Sequence, residues 1–341
     1  MSSLEKITRR SLLRTSGLIG LGALAAPALA QTEAPASRRG AKRIRYAHST
    51  PVTHGWHLWG EQFKKSIEAK SGGKIQVTIY PNAQMGNERD IAQQVKLGSI
   101  EMASVGVALM NWVPDVSVTD APFLFSSRAQ CYAALDGALG AELRKRSLEK
   151  GFRIVGWNDL GSRSMTNNKH PINAVKDMSD LKMRVPDSKS YNAMMQATGA
   201  SIVAVDLSEL YLALSQGVAD GQETPATVVK SNKLYEVQKF ISKTDHVLTN
   251  AYGIINPAFF DGLAKDEQEM VLASGDEATK WLRDYTQKDE MEAYEFLKGK
   301  GMQVNLTPDV ASFRTACEPV VAKFPDLFPP DLVKLAQSAK A

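Results

Sequence analysis

An α/β protein of two lobes, spanned by one long helix, is the fold class that this sequence predicts, and three observations predict it. A first run reads strand, helix, strand, helix, strand, the rhythm of a parallel sheet with its helices packed outside. A second run of the same kind begins near "RIVGWNDLGSRSMTNN". After both comes "KDEQEMVLASGDEATKWLRDYTQKDEMEAYEFLKGKG", a helical pattern of roughly 35 residues that would extend about 50 Å, more than the width of one lobe.

The elements follow in order. In "KRIRYAHS", Ile44 and Tyr46 alternate with arginines, the period of a strand with one buried face. "GWHLWGEQFKKSIEAKSGG" repeats Trp59, Phe63 and Ile67 every four residues and stops at paired glycines, which predicts a helix. "KIQVTIYP" puts Ile75, Val77 and Ile79 on one strand face, and "NERDIAQQVKLGS" reads as the next helix. In the second run "DLKMRVP" alternates Leu181, Met183 and Val185 with Lys182 and Arg184 before Pro186 removes a ladder donor and ends the strand. The helix "SKSYNAMMQATGA", the strand "SIVAV" and the helix "DLSELYLALSQG" follow. In that last helix Asp206 is expected to cap and Glu209 to complete the box. Leu210, Tyr211 and Leu214 are expected to form the buried stripe, with Gly217 as the stop.

The first thirty residues stand apart from this fold. Arg9 and Arg10 precede an apolar run of about 14 residues, shorter than the roughly 20 that span a bilayer. The run ends in Ala28-Leu29-Ala30, the small-residue pattern of a cleavage site. Residues 1–30 therefore read as a twin-arginine export signal cut after Ala30. The run Gly20-Leu21-Gly22-Ala23-Leu24-Ala25 formally matches a dinucleotide fingerprint, but no strand precedes it and maturation removes it. Residues 31–41 are expected to be a disordered leader.

Cleavage leaves 311 residues, enough for two lobes with real cores. The signal holds four of the 41 basic residues and one of the 37 acidic ones, so the mature chain carries 37 against 36. That balance leaves no excess charge to attract nucleic acid or an anionic membrane, and no later apolar run approaches spanning length. Cys131 and Cys317 lie far apart in helix-like segments without metal-type spacing and are expected to be separate buried thiols.

Catalytic signatures are not legible. The sequence has no G-x-S-x-G, no H-E-x-x-H and no phosphate loop. His54 and His57 in "HGWH" stand three apart but have no adjacent acidic or cysteine partner, so they read as surface histidines rather than metal ligands. Trp56, Trp59, Tyr211 and Trp281 read as packing residues. One residue resists the bland reading. Arg184 sits in a short strand, where a guanidinium is either solvated or a planar fork for a carboxylate.

Six blocks, in this order, carry a resemblance: "SGGKIQVTIYPNAQMGNERD", "DAPFLFSS", "GSRSMTNN", "DMSDLKMRVPDS", "ELYLALSQGVADGQETP" and "YEVQKFISKTDHVLTN". From 45 to 303 the chain resembles the extracytoplasmic solute-binding proteins of TRAP transporters, the DctP-like family that includes sialic-acid binders. The resemblance implies a two-lobe periplasmic binding protein-like fold with an interlobe cleft, hinge strands and a lobe-spanning helix. The corresponding boundaries are 42–160 with 250–289 for lobe I and 161–249 with 290–341 for lobe II.

The family's pattern also assigns a site. The arginine of its K-x-R-x-P strand clamps the substrate carboxylate, which falls on Arg184. The arginine of its G-x-R strand falls on Arg163, grouped in sialic-acid binders with a glutamate and a histidine matching Glu223 and His246. Without substrate, Arg184 is expected to stay hydrated in an open cleft. Glu88 matches a cleft acid, His48 a strand-end polar contact and Asp187 a residue just after the clamp. Several positions depart. Thr224 replaces an asparagine, Gly106 stands where sialic-acid binders have a glutamate, and Leu207 where they have a phenylalanine. The lysines of C4-dicarboxylate binders are not evident in "STPVTHGWH" or "VGVALMN".

The expected function is a periplasmic solute-binding protein, monomeric and without catalysis or cofactor. It would close on a carboxylate-bearing metabolite, whether sugar acid, hydroxy acid or C4-dicarboxylate, and deliver it to an ion-gradient-driven TRAP permease. A smaller hydroxylated acid using His48, Glu88 and Thr224 fits the departures best. An exported cofactor-dependent enzyme and a sensor-coupled binding protein are the alternatives.

Overall fold

The computed structural model describes residues 41–340. The export signal, and the leader apart from its last residue, lie outside the described residues. Strands β1 (Lys42–Ala47), β2 (Ile75–Tyr80), β3 (Met102–Val105), β4 (Arg153–Asn167), β5 (Lys182–Val185), β6 (Ser201–Ala204), β7 (Gly221–Pro225), β8 (Phe240–Ser242), β9 (Leu248–Ile255) and β10 (Gln303–Asn305) supply the sheet. Their order is β2-β1-β3-β9-β4-β7-β5-β6, with β8 beside β4 and β10 beside β8.

The first lobe grows from the alternation read in its strands. β1 lies parallel to both β2 and β3, and the helix Gly55–Lys70 crosses over between β1 and β2. Trp59, Phe63 and Ile67 are fully buried on its inner face, where the rings of Trp59 and Phe63 stack 5.4 Å apart. The next helix, Glu88–Leu97, starts at a reciprocal capping box between Asn87 and Asp90 and ends at Gly98, whose φ of 73° few other residues adopt. β9 then adds antiparallel to β3.

β4 belongs to both lobes. Its first part pairs antiparallel with β9 up to Ser162↔Leu248, and from Arg163↔Pro225 it pairs with β7 instead. The register slips between Asp159 and Gly161, and Gly161 takes φ +101°, a conformation that an L side chain resists. The long helix Lys265–Gly299 fixes this switch. Its Glu290 accepts the Ser162 N–H at 2.7 Å and pairs with Arg128, which also bonds Asp159 at 2.7 Å. At Gly275 the helix comes so close to β4 that a Cβ would stand 2.0 Å from the Val155 carbonyl oxygen. Upstream, Val271, Ala278 and Leu282 pack in the core of Trp59 and Phe63; downstream, Ala293, Tyr294 and Leu297 pack with Leu210, Leu214 and Val229. One helix thus shares its apolar face between two cores.

The second lobe places β5 parallel to β6 and β7. Leu181, Met183 and Val185 are buried as the alternation requires. The segment after β6 departs from expectation. Residues Leu207–Glu209 form a 3-10 turn before the helix Leu210–Ser215, and Asp206 makes no side-chain cap. Tyr211 is exposed and bonds Glu236, so only Leu210 and Leu214 form the buried stripe. On the helix Leu210–Ser215 adjacent residues stand about 100° apart, so Tyr211 falls beside the stripe of Leu210 and Leu214 and faces outward. Cys131 and Cys317 are both buried and unbridged.

Candidate functional site

The cleft is lined from both lobes. β5 contributes Arg184, β4 Arg163 and β7 Thr224; Glu88 comes from the start of the helix that Asn87 caps, and Leu207 from the turn after β6. Two connected cavities meet there and share Glu88, Val107, Arg184, Pro186 and Leu207. The inner one, about 470 Å³ including its open mouth, is walled by Trp56, Leu160, Val228 and Ala251. The outer one, of about 390 Å³, adds Ser49, Asn111, Asp187 and Asp206.

Arg184 is only 2% exposed, which corrects the expectation of a hydrated side chain in an open cleft. The lobes meet over it: Asp187 pairs with Arg89 across the cleft, and its carbonyl accepts from Asn111 Nδ2 at 3.2 Å. Nε of Arg184 donates to the Val205 carbonyl at 2.7 Å. Its two terminal nitrogens have no partner among the described residues, and it forms no ion pair there. Burial lowers its pKa to about 10; the charge of Arg163 adds to that effect, while Glu223 and Glu88 oppose it. A buried cation without its own anion is costly unless an anion arrives.

Arg163 presents the contrast. It is equally buried, yet Glu223 takes Nε and Nη2 in a bidentate pair, with Nη2 to Oε1 at 2.7 Å and to the Glu223 carbonyl at 2.6 Å. The face of Tyr191 lies 4.7 Å from its guanidinium carbon, and Nη1 donates to Thr249 Oγ1 at 3.3 Å. Burial works against the Arg163 charge, but Glu223 and Tyr191 more than offset it and raise its pKa. Burial likewise disfavours the Glu223 carboxylate, which Arg163 and His246 hold below its usual range. His246 reaches Glu223 Oε2 through Nε2 at 3.2 Å and Thr244 through Nδ1 at 2.8 Å. Arg163, Glu223 and His246 therefore form one buried hydrogen-bonded chain, with only its arginine at the cavity wall. Arg163 is neutralised and Arg184 is not.

Glu88 faces both arginines' cavity. Burial raises its pKa to about 6, against the Gly106 N–H, which Oε2 accepts at 2.8 Å, and the charge of Arg184. A side chain at Gly106 would be tight, since a Cβ would stand 3.0 Å from Trp56 Cζ2, which would have to give by a few tenths of an ångström.

The remaining expected residues divide. Thr224 lines the inner cavity and Leu207 both. Asp187 sits at the exposed rim. His48 is fully buried but lines neither cavity; it bonds Thr50 Oγ1 at 3.0 Å and His57 at 3.1 Å, and burial with His57 beside it lowers its pKa to about 3. His54 is not a surface residue. It caps the helix Gly55–Lys70 by accepting the Trp56 N–H at Nδ1, and it lines the inner cavity. Among the described residues no cluster could hold a metal ion. His54, Trp56, Asn250 and Asp206 line the cleft without having been singled out for it in the sequence. The "HGWH" stretch was the available signal, but its spacing reads equally as a helix start.

Two lobes, a crossing strand, a shared helix and a cleft with a buried arginine between them are the architecture of a two-lobe solute-binding protein. The model of bacterial extracellular solute-binding protein family 7, DctP, matches residues 46–326. A solute-binding protein of Verminephrobacter eiseniae is 34% identical over 281 residues, covering 82% of this chain and 84% of the relative. The 2,3-diketo-L-gulonate-binding periplasmic protein YiaO of Escherichia coli is 30% identical, covering 88% and 91%. A TRAP periplasmic solute-binding protein of Polaromonas, solved bound to D-erythronate, superposes with a TM-score of 0.85 at 30% identity, covering 88% of this chain and 99% of that one. The chain belongs to family 7 of the bacterial extracellular solute-binding proteins. It is a periplasmic solute-binding protein, not an enzyme, and the reading as an exported cofactor-dependent enzyme falls.

Proposed function

We propose that Arg184 clamps the ligand's carboxylate and that the closed, loaded protein hands it to an ion-gradient-driven TRAP permease. The observation that carries this reading is the contrast between the two buried arginines. Arg163 has a bidentate carboxylate of its own, and Arg184 has terminal nitrogens without a partner beside a cavity. A planar fork in that position matches the two oxygens of a carboxylate. Thr224, Leu207 and Glu88 bound the rest of the ligand, Asp187 joins the rim, and Glu223 and His246 act behind Arg163 on closure. His48 supports the cleft from behind rather than touching ligand.

The lobe boundaries near 160, 250 and 290 fit a hinge where β4 changes partners and Glu290 holds the crossing. Export by the twin-arginine signal, cleavage after Ala30 and action as a monomer complete the reading. A melting-temperature screen of the purified protein against organic acids tests it. Carboxylates raise the melting temperature and their amides do not; equal shifts by acids and amides would remove the clamp.

A further inference from the structure

We propose that His54 and Trp56 read hydroxyl groups of the ligand and, with Glu88, make the cleft select a hydroxylated monocarboxylate over a dicarboxylate. The proposal rests on the reading of Arg184 as the carboxylate clamp. Its own support is the set of polar atoms that the protein leaves unpaired around the inner cavity. His54 Nε2, Trp56 Nε1 and Asn250 Oδ1 are all buried, all belong to residues lining that cavity, and have no hydrogen-bond partner among the described residues. Thirteen buried side-chain polar atoms lack a partner among the described residues, and the grouping of three of them on residues of one cavity points to partners that the ligand supplies.

The chemistry of each can be assigned. His54 Nδ1 accepts the backbone N–H of Trp56 at 3.1 Å, so in the neutral ring the proton resides on Nε2, which is then a donor. Burial, with His48 nearby, lowers the His54 pKa to about 3 and keeps the ring neutral at ordinary pH. Trp56 Nε1–H is a donor by construction. On the other side, Asn250 Oδ1 is an acceptor without a partner among the described residues, and the Glu88 carboxylate, which Gly106 and the Ala108 backbone already engage, adds acceptor capacity at the same wall. Donors and acceptors around one space suit hydroxyl groups, each of which does both.

Charge supplies the selection. Arg184 is the unneutralised cation at these walls, because Arg163 is held by Glu223 and Arg89 by Asp187. No lysine lines either cavity, and the remaining charged groups are Glu88 and Asp206, the latter in the outer cavity without an ion pair. A second ligand carboxylate would be buried against like charge with nothing to balance it.

Calorimetry on the full-length mature protein tests this with four- and six-carbon acids in matched sets: D-erythronate and galactonate, succinate and adipate, butyrate and hexanoate. The expected order places a hydroxy acid at least a hundredfold tighter than the dicarboxylate and the plain acid of its length. Trp56→Phe keeps an aromatic ring and loses the N–H, and His54→Asn keeps an N-cap acceptor and loses the Nε2 donor. Each should weaken the hydroxy acid roughly three- to tenfold and leave the plain acid unchanged. A dicarboxylate or plain acid binding as tightly as the best hydroxy acid, no binding by either hydroxy acid, or equal losses for hydroxy and plain acids in the variants would overturn the proposal. Arg184→Ala separates the two ideas: if it binds the best acid normally, the clamp itself fails, and if it loses all acids while succinate matches erythronate in the wild type, only the hydroxyl reading fails.

Discussion

Replacing Arg184 by alanine removes a cleft guanidinium that has no ion pair among the described residues, and its cost follows from the side chain's surroundings. In the folded protein its pKa falls from 12.5 to about 10, chiefly through burial. A base whose folded pKa is depressed below its unfolded value is destabilising wherever it is charged, so at pH 7 the empty site carries about 3 kcal/mol of unfavourable free energy. A carboxylate bound bidentately recovers that penalty and adds a charge-assisted pair. Deleting one partner of a desolvated pair commonly costs about 2–5 kcal/mol, and the value of about 3 lies within that range. The expected loss of affinity is therefore on the order of a hundredfold or more. The same arithmetic predicts an unliganded Arg184→Ala protein that melts no lower than the wild type, because a burdensome charge has gone. Arg184→Lys should also bind poorly, since an ammonium offers no planar fork. Calorimetry and a melting curve on each variant read both quantities. Near-normal affinity in folded Arg184→Ala, or a variant that fails to fold, would refute the reasoning.

Three further outcomes are expected. Glu223→Gln should leave the association rate intact and speed ligand release in stopped-flow traces, because a neutral amide holds Arg163 less firmly; a changed on-rate with an unchanged off-rate would assign Glu223 to first contact instead. Ligand should shrink the radius of gyration in small-angle scattering, since contacts to both lobes favour the closed form, and an unchanged profile at saturation would indicate a preformed pocket. Glu88→Gln should gain stability with rising pH: the folded pKa of about 6 lies above the ordinary 4.5, so the glutamate costs up to about 2 kcal/mol above pH 6 and nothing below about pH 4.5. Denaturant melts at pH 4 and pH 8 measure the difference, and a variant equally affected at both would show that the carboxylate is not held up by burial.

Much of the fold was legible because periodicity reports burial directly. Ile44, Trp59, Phe63, Ile67 and Met183 stand where their spacing places them, and the 35-residue helix appears at full length. The segment from Asp206 to Tyr211 was misread because a local capping pattern competes with a turn that the cleft shapes; Asp206 lines the cavity instead of capping. Arg184 shows a different limit. Alternation put it opposite Met183, but a strand's second face is wet or buried according to what packs on it, and only the other lobe decides that. His54 and Trp56 were missed for the same reason: one caps a helix and the other reads as core, and their unpaired nitrogens are visible only once the cavity exists.

The central claim is that Arg184 holds the ligand's carboxylate. A crystal structure of the protein with whichever acid gives the largest rise in melting temperature tests it most directly. The account predicts both carboxylate oxygens at about 2.8 Å from the terminal nitrogens of Arg184, with Arg163 still paired to Glu223. A carboxylate bound elsewhere in the cleft, with Arg184 facing a hydroxyl or nothing, would contradict it.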